Sequence, residues 1–202
     1  MPARSVPASA RSFCCCNFEP VQRKVKAMRY ETVFGAVITA VVLQRFLELR
    51  LAKRNAAHVK KLGGQEIGAE HYRAIVALHA SFFLSLFVEF MLRHPAPQPW
   101  MWFPAAAFLL LQALRVWCIW SLGVFWNTRI YVVPGMTRIV RGPYRYLRHP
   151  NYAVVTMEML TLPLLFQCWV TALAYPLLNI MVLRRRIAAE EAALEAYAAP
   201  AP

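Results

Sequence analysis

The stretch Arg138–Tyr152, RIVRGPYRYLRHPNY, sets Arg138, Arg141, Arg145, Arg148 and His149 beside Tyr144, Tyr146 and Tyr152, with no acidic residue among them. Guanidinium groups pair with carboxylates and phosphates in planar, two-point geometry. Tyrosine faces can stack on a heteroaromatic ring, and an imidazole can accept or donate a proton. Such a stretch can meet lipid phosphates, an anionic substrate or a charged cofactor. Gly142-Pro143 and His149-Pro150 restrict the backbone to turns, so a helix should begin near Asn151. A second cluster stands near the C-terminus, in LRRRIAAEEAAL. Arg186 and Glu190 are four apart there, on one face of a helix-forming run. If the intervening chain folds back as a hairpin, one mouth holds a carboxylate, a guanidinium, a histidine and tyrosines. The plain alternative is that the arginines only anchor the loop at a lipid surface.

The elements that must position these groups are membrane helices. Of 202 residues 59% are hydrophobic, yet 16% are charged and the net charge is +13. The apolar residues are gathered into runs, and a helix needs about 20 of them to cross a bilayer. Backbone groups in lipid must be satisfied within the chain, so the runs should be helical. An all-α integral membrane domain of about five helices is expected, over Tyr30–Leu49, Ala74–Leu92, Trp100–Leu122, Tyr152–Phe166 and Trp169–Leu183. The last two are short, contain Pro163 and Pro176, and are separated only by Gln167 and Cys168, which predicts a tight helical hairpin. Trp100, Trp102, Trp117, Trp120 and Trp126 read as interfacial anchors.

Five spans place the basic loops after the first and third spans, and the C-terminal arginines, on one side. The positive-inside rule makes that side, and the site, cytoplasmic. Arg23, Lys24, Lys26 and Arg29 conflict with this. Residues 1–27 read as a disordered extension or a misassigned start, with Met28 as the alternative start and 28–202 as the working domain. The segment lacks the apolar stretch of a secretory signal, although Cys14, Cys15 and Cys16 could carry acyl chains. No metal centre and no nucleic-acid partner is expected.

Polar residues within the spans are functional candidates by default. Gln44, Arg45 and Glu48 fall at the end of the first span, where Arg45 can reach the surface. Glu89 and Arg93 can pair, four residues apart, and Arg115 and Glu158 can neutralise each other inside the bundle. His79 reads as a hydrogen-bonded core histidine. Ala52–Tyr72 reads as a solvated connector, with a rim over the active site as the alternative.

GPYRYLRHPNY, a two-helix hairpin and then Arg186-x-x-x-Glu190-Glu191-x-x-Leu194 together resemble the isoprenylcysteine carboxyl methyltransferase family. The specific part covers Arg138–Tyr197. The upstream QRFLELRLAKRN and GAEHY resemble the family's short bacterial branch. The resemblance implies a membrane enzyme using S-adenosyl-L-methionine. Tyr144, His149, Pro150, Asn151 and Tyr152 would bind the adenosine part, Ile139 and Val140 would add backbone contacts, and Glu190 would take the ammonium. Arg186 would face the acceptor as the catalytic residue. A further polar cofactor contact, between the third span and the motif, finds no match among Asn127–Tyr131. The implied acceptor is lipophilic, a prenylcysteine carboxylate or the hydroxyl of an alkylpyrone or alkylresorcinol. Two alternatives stay open: an NADPH-dependent membrane reductase sharing RHPNY, and a non-enzymatic lipid-binding protein.

Overall fold

In the computed structural model the backbone is described for residues 18–136 and 138–197, and side chains from residue 28 except at 70 and 71. Residues 1–17, including the three adjacent cysteines, lie outside the described residues. The segment 18–27 is already helical, although it reads as extension in the sequence. In chain order the elements are α1 (Phe18–Lys61), β1 (Gln65–Ile67), α2 (Ala69–Arg93), α3 (Trp102–Leu122), β2 (Ile130–Val132), α4 (Pro150–Leu165) and α5 (Trp169–Tyr197).

Among the described residues three stretches are long and apolar enough to cross a membrane: Met28–Lys61, Tyr72–Arg93 and Pro99–Phe125. The protein is thus a helical membrane protein. α4 has 16 residues, which gives it a length of about 24 Å at 1.5 Å per residue. That falls short of the roughly 30 Å hydrocarbon core. α4 and the apolar half of α5 form the expected hairpin, folded against α2 and α3. Its turn closes on Pro163, whose carbonyl accepts from the amides of Phe166 (3.0 Å) and Cys168 (2.9 Å), with Gln167 at φ +57°.

An aromatic cluster holds that end. Phe34 of α1 stacks on Phe90 of α2 at 3.8 Å, and Phe166 meets Phe34 edge-on at 4.9 Å. The Tyr30 hydroxyl donates to the Leu165 carbonyl at 2.9 Å. Glu89 pairs with Arg93 at 3.1 Å as expected. It also does more than the spacing suggested. Its carboxylate accepts from the amides of Val170 (3.0 Å) and Thr171 (2.8 Å), so a residue of α2 satisfies the open N-terminus of α5.

Midway along the bundle the charges are arranged differently from the simple Arg115–Glu158 pair. Arg115 grips Glu48 in two-point fashion, at 2.7 and 2.6 Å, and reaches Glu158 at 3.3 Å. Arg45 turns inward and joins Glu48 and Glu158, both at 2.8 Å. Gln112 donates to Glu158 and Gln44 to Glu48. The expectation that Arg45 reaches the surface is therefore corrected. Two guanidiniums on α1 and α3 face two carboxylates on α1 and α4, and mutual neutralisation outweighs the reach of Arg45 toward water. His79 is a hydrogen-bonded histidine as expected, its Nδ1 2.8 Å from the Ile75 carbonyl.

Two other expectations change. The connector contains a strand: β1 pairs antiparallel with β2, Glu66 opposite Tyr131, so the fold is not purely helical. Trp126 is 2% exposed and cannot be an interfacial anchor, whereas Trp102 and Trp120 are each 79% exposed and suit that role.

Candidate active site

The strand pair supports one wall of a cleft at the mouth of the bundle. Arg129 beside β2 bonds Glu66 of β1 at 2.5 Å, Tyr131 donates to the other Glu66 oxygen at 3.1 Å, and the Arg129 guanidinium lies over the Tyr72 ring at 4.5 Å. Partial burial opposes ionisation of Glu66, but these hydrogen bonds outweigh it and hold its carboxyl below the usual range. Ile130 and Val132 pack on Ala189, Ala193 and Leu194 of α5. The far end of α5 is fastened too: Tyr197 donates to Gln65 at 2.8 Å, and its carbonyl accepts from the Gly135 amide. The short strands thus tie the tail of α5 to the segment leaving α3.

The opposite wall is the proline-framed loop. Pro143 starts a 3₁₀ turn over Gly142–Arg145, and Pro150 is the first residue of α4. Gly142 has φ +55°, and a Cβ there would collide with Ser121 Oγ and stand 3.0 Å from Trp117 Nε1. Glycine is required on both counts. Gly142→Ala is expected to lower stability by about 1–3 kcal/mol and to displace Tyr144. A thermal melt of the detergent-purified protein would read the first effect. An unchanged melting temperature would mean that the loop packs loosely on α3.

Between the walls the cleft encloses about 1070 Å³ of empty space, part of it continuous with solvent. Ile139, Tyr144, His149, Asn151, Tyr152, Arg186 and Glu190 all line it. Sequence separations of 30 residues and more are thereby brought together. Val140 and Pro150 are not among the lining residues: Val140 is exposed, and Pro150 is buried at the foot of α4. Arg138 and Arg148 line the cleft, while Arg141 and Arg145 are exposed outside it. The Arg138 guanidinium donates to the Arg148 carbonyl, closing the loop on itself.

Tyr152 is the hub. Its hydroxyl donates to Glu190 at 2.6 Å and accepts from Arg186 Nε at 2.9 Å, and its ring stacks on His149 at 5.3 Å, 10° from parallel. Arg186 is 4% exposed and also donates to the Thr128 carbonyl at 2.7 Å. His149 Nε2 lies 3.4 Å from Glu191, and Arg148 lies 3.6 Å from the same carboxylate. Burial raises the Tyr144 hydroxyl above the ordinary tyrosine range, so it stays protonated at neutral pH.

Two buried polar atoms of cleft-lining residues, Asn151 Oδ1 and Trp126 Nε1, have no partner among the described residues. Buried polar atoms normally find partners, so a ligand with a donor and an acceptor fits here. Glu190 is the single carboxylate among the lining residues, against Arg129, Arg138, Arg148 and Arg186. One carboxylate, stacked rings and orphaned amide and indole groups suit a cationic amino-acid end and a heteroaromatic base.

Sequence reasoning missed the wall from Trp126 to Val133. Its signal was present: Ile130-Tyr131-Val132-Val133 is a β-branched and aromatic run, but too short to stand out. Asn127, Arg129, Ile130 and Tyr131 line the cleft, and Thr128 contributes the carbonyl that holds Arg186.

The family model described as isoprenylcysteine carboxyl methyltransferase (ICMT) family matches residues 101–196, from the start of α3 to the end of the cleft-lining face of α5. The uncharacterized protein YpbQ of Bacillus subtilis (strain 168) is 42% identical over 165 residues, 82% of this chain and 98% of that protein. An uncharacterized protein of Haemophilus influenzae (strain ATCC 51907 / DSM 11121 / KW20 / Rd) is 24% identical over 168 residues, 83% of this chain and 96% of its own length. No solved structure matches.

Proposed function

The chain belongs to the isoprenylcysteine carboxyl methyltransferase family, and from that premise we propose that it is an S-adenosyl-L-methionine-dependent O-methyltransferase acting on the polar head of a membrane-dissolved acceptor. The observation that carries this reading is the meeting of Glu190, Tyr152, His149 and Arg186 in one cleft at the bundle mouth. Glu190 would hold the ammonium of the cofactor by a charge-assisted bond. His149, Tyr144 and Asn151 would hold the adenosine, with Ile139 and Val140 offering backbone groups and Pro150 fixing the turn beneath them. When bound, the cofactor supplies a methyl group on a positively charged sulfur.

Arg186 would orient the acceptor oxygen. Its Nε and one terminal nitrogen are held by Tyr152 and Thr128, which fixes the plane of the guanidinium before any acceptor arrives. Methyl transfer needs little else from side chains, because holding the two reactants in line lowers the barrier most. A prenylcysteine carboxylate would arrive ionised. An alkylpyrone or alkylresorcinol hydroxyl would have to lose a proton, and His149 stands next to solvent-facing Glu191 to assist. The density of arginine and lysine around the cleft supports a cytoplasmic site, with the lipophilic acceptor entering from the bilayer.

Equilibrium binding to the detergent-purified chain tests the reading. S-adenosyl-L-methionine is expected to bind saturably and NADPH not to compete. NADPH binding without S-adenosyl-L-methionine binding would favour the reductase alternative and overturn this one.

A further inference from the structure

The cleft depends on how α4 and α5 are aligned, because Arg186 and Glu190 of α5 hold the Tyr152 hydroxyl of α4 at 2.9 and 2.6 Å. A slip of about an ångström along the hairpin breaks such contacts, since hydrogen bonds fade beyond about 3.2 Å. The turn that joins the two helices cannot guarantee this alignment by itself. Pro163 interrupts the backbone ladder of α4 and Pro176 that of α5. Both helices can therefore bend between the turn and the cleft.

On the cleft side of both prolines a polar contact joins the helices. Asn179, 1% exposed, donates through Nδ2 to Thr156 Oγ1 at 2.8 Å, and the Thr156 hydroxyl donates to the Tyr152 carbonyl at 2.9 Å. Thr171, also buried in the apolar half of α5, is engaged instead by Ser85 and Glu89 of α2. Asn179, Leu183 and Arg186 are all buried, and their spacing of four and three keeps them on one face of α5. Neither Asn179 nor Thr156 is among the residues that line the cleft. A buried amide in apolar surroundings is costly unless paired, so a slipped hairpin would leave Asn179 without its acceptor. Single buried asparagines fix the register of paired helices in this way. We infer that Asn179 is a positioning residue, which acts through Thr156 to hold the Tyr152 hydroxyl between Arg186 and Glu190. The inference rests on the methyltransferase reading for what the cleft binds, but the placement of Tyr152 does not depend on the cofactor.

The test uses the full chain in detergent, S-adenosyl-L-methionine titrations, and the fluorine resonance of 3-fluorotyrosine placed at Tyr152 in the ligand-free protein. Asn179→Leu combined with Thr156→Val removes both partners of the contact and keeps their shapes, a change nearly neutral for stability. This double variant should melt close to the wild type, yet bind S-adenosyl-L-methionine about tenfold more weakly, the loss of roughly one hydrogen bond. Its fluorine resonance should move. In a Tyr152→Phe background the same pair of changes should cost no further affinity, because its effect runs through the Tyr152 hydroxyl. A merely structural Asn179 predicts the opposite, with affinity and resonance at their wild-type values once stability is restored. Wild-type affinity in the double variant, or the same tenfold loss in the Tyr152→Phe background, overturns the inference. If the double variant fails to fold, Thr156→Ser, which keeps both bonds, is compared with Thr156→Ala, which loses them; equal affinities overturn it. A wild-type chain that does not bind S-adenosyl-L-methionine, with a resonance that moves in the double variant, would sink the methyltransferase reading alone. Wild-type binding with unmoved resonance and unchanged affinity in the double variant would sink this inference alone.

Discussion

Glu190→Gln is expected to weaken S-adenosyl-L-methionine binding by about 30- to 100-fold, the cost of removing one charge-assisted contact. The substitution keeps the shape of the side chain and leaves an oxygen to accept from the Tyr152 hydroxyl, now 2.6 Å from the carboxylate. The Tyr152–Arg186 bond at 2.9 Å does not involve Glu190. Local architecture should therefore survive while the negative charge is lost. That charge has no substitute, because the other charged residues lining the cleft are arginines, with His149 beside them. Isothermal titration with three ligands separates the roles. S-adenosyl-L-methionine and S-adenosylhomocysteine both carry the ammonium and should lose affinity together. Adenosine lacks it and should bind as to the wild type. An equal loss for adenosine would make Glu190 an architectural residue, and no loss for any ligand would remove it from the site.

The parts of this site that were legible in the sequence are those with short-range signals. Gly142-Pro143 and His149-Pro150 fix their own turns, and the spacing of Arg186 and Glu190 fixes a helix face. The closeness of Gln167 and Cys168 to both flanking runs leaves the chain no option but a hairpin. Each of these is decided within a few residues. The hairpin then carries the second cluster back to the first, which is why seven of the expected positions line one cleft.

What was not legible depends on partners far away in sequence. Arg45 and Glu48 sit where a helix end could meet water, and only the placement of Arg115 and Glu158 turns them inward. Trp126 has the composition of an anchor, but Asn55 of α1 donates to its carbonyl at 2.7 Å and draws that segment under the loop. Three-residue strands carry almost no periodic signal. β1 and β2 exist because Glu66 finds Arg129 and Tyr131 across the pair. The same reasoning explains why Glu89 gave only half its role: an i,i+4 pair can be read from spacing, but a capped helix from another element cannot.

Removing one member of the buried charge network is expected to have the largest effect on stability. Arg115→Met should destabilise the folded protein by about 3–5 kcal/mol, the usual cost of leaving a buried charge uncompensated. Arg115 is 6% exposed, Glu48 7% and Glu158 5%, so water cannot replace the lost guanidinium. Arg45 alone would then face two carboxylates, at 2.8 Å each. Adding Glu48→Gln restores the balance, because Arg45 and Glu158 already form a direct pair. The double variant should recover more than half of the loss, a non-additivity that simple removal of packing volume would not produce. Unfolding of the detergent-purified variants by heat or by added dodecyl sulfate reads both effects. If the double variant is less stable than Arg115→Met, the network acts through shape and hydrogen bonding rather than charge. The consequence reaches the cleft, because Glu158 and Tyr152 share α4. A helix released from α1 and α3 at Glu158 no longer holds the Tyr152 hydroxyl between Arg186 and Glu190, so cofactor affinity should fall in Arg115→Met and return in the double variant.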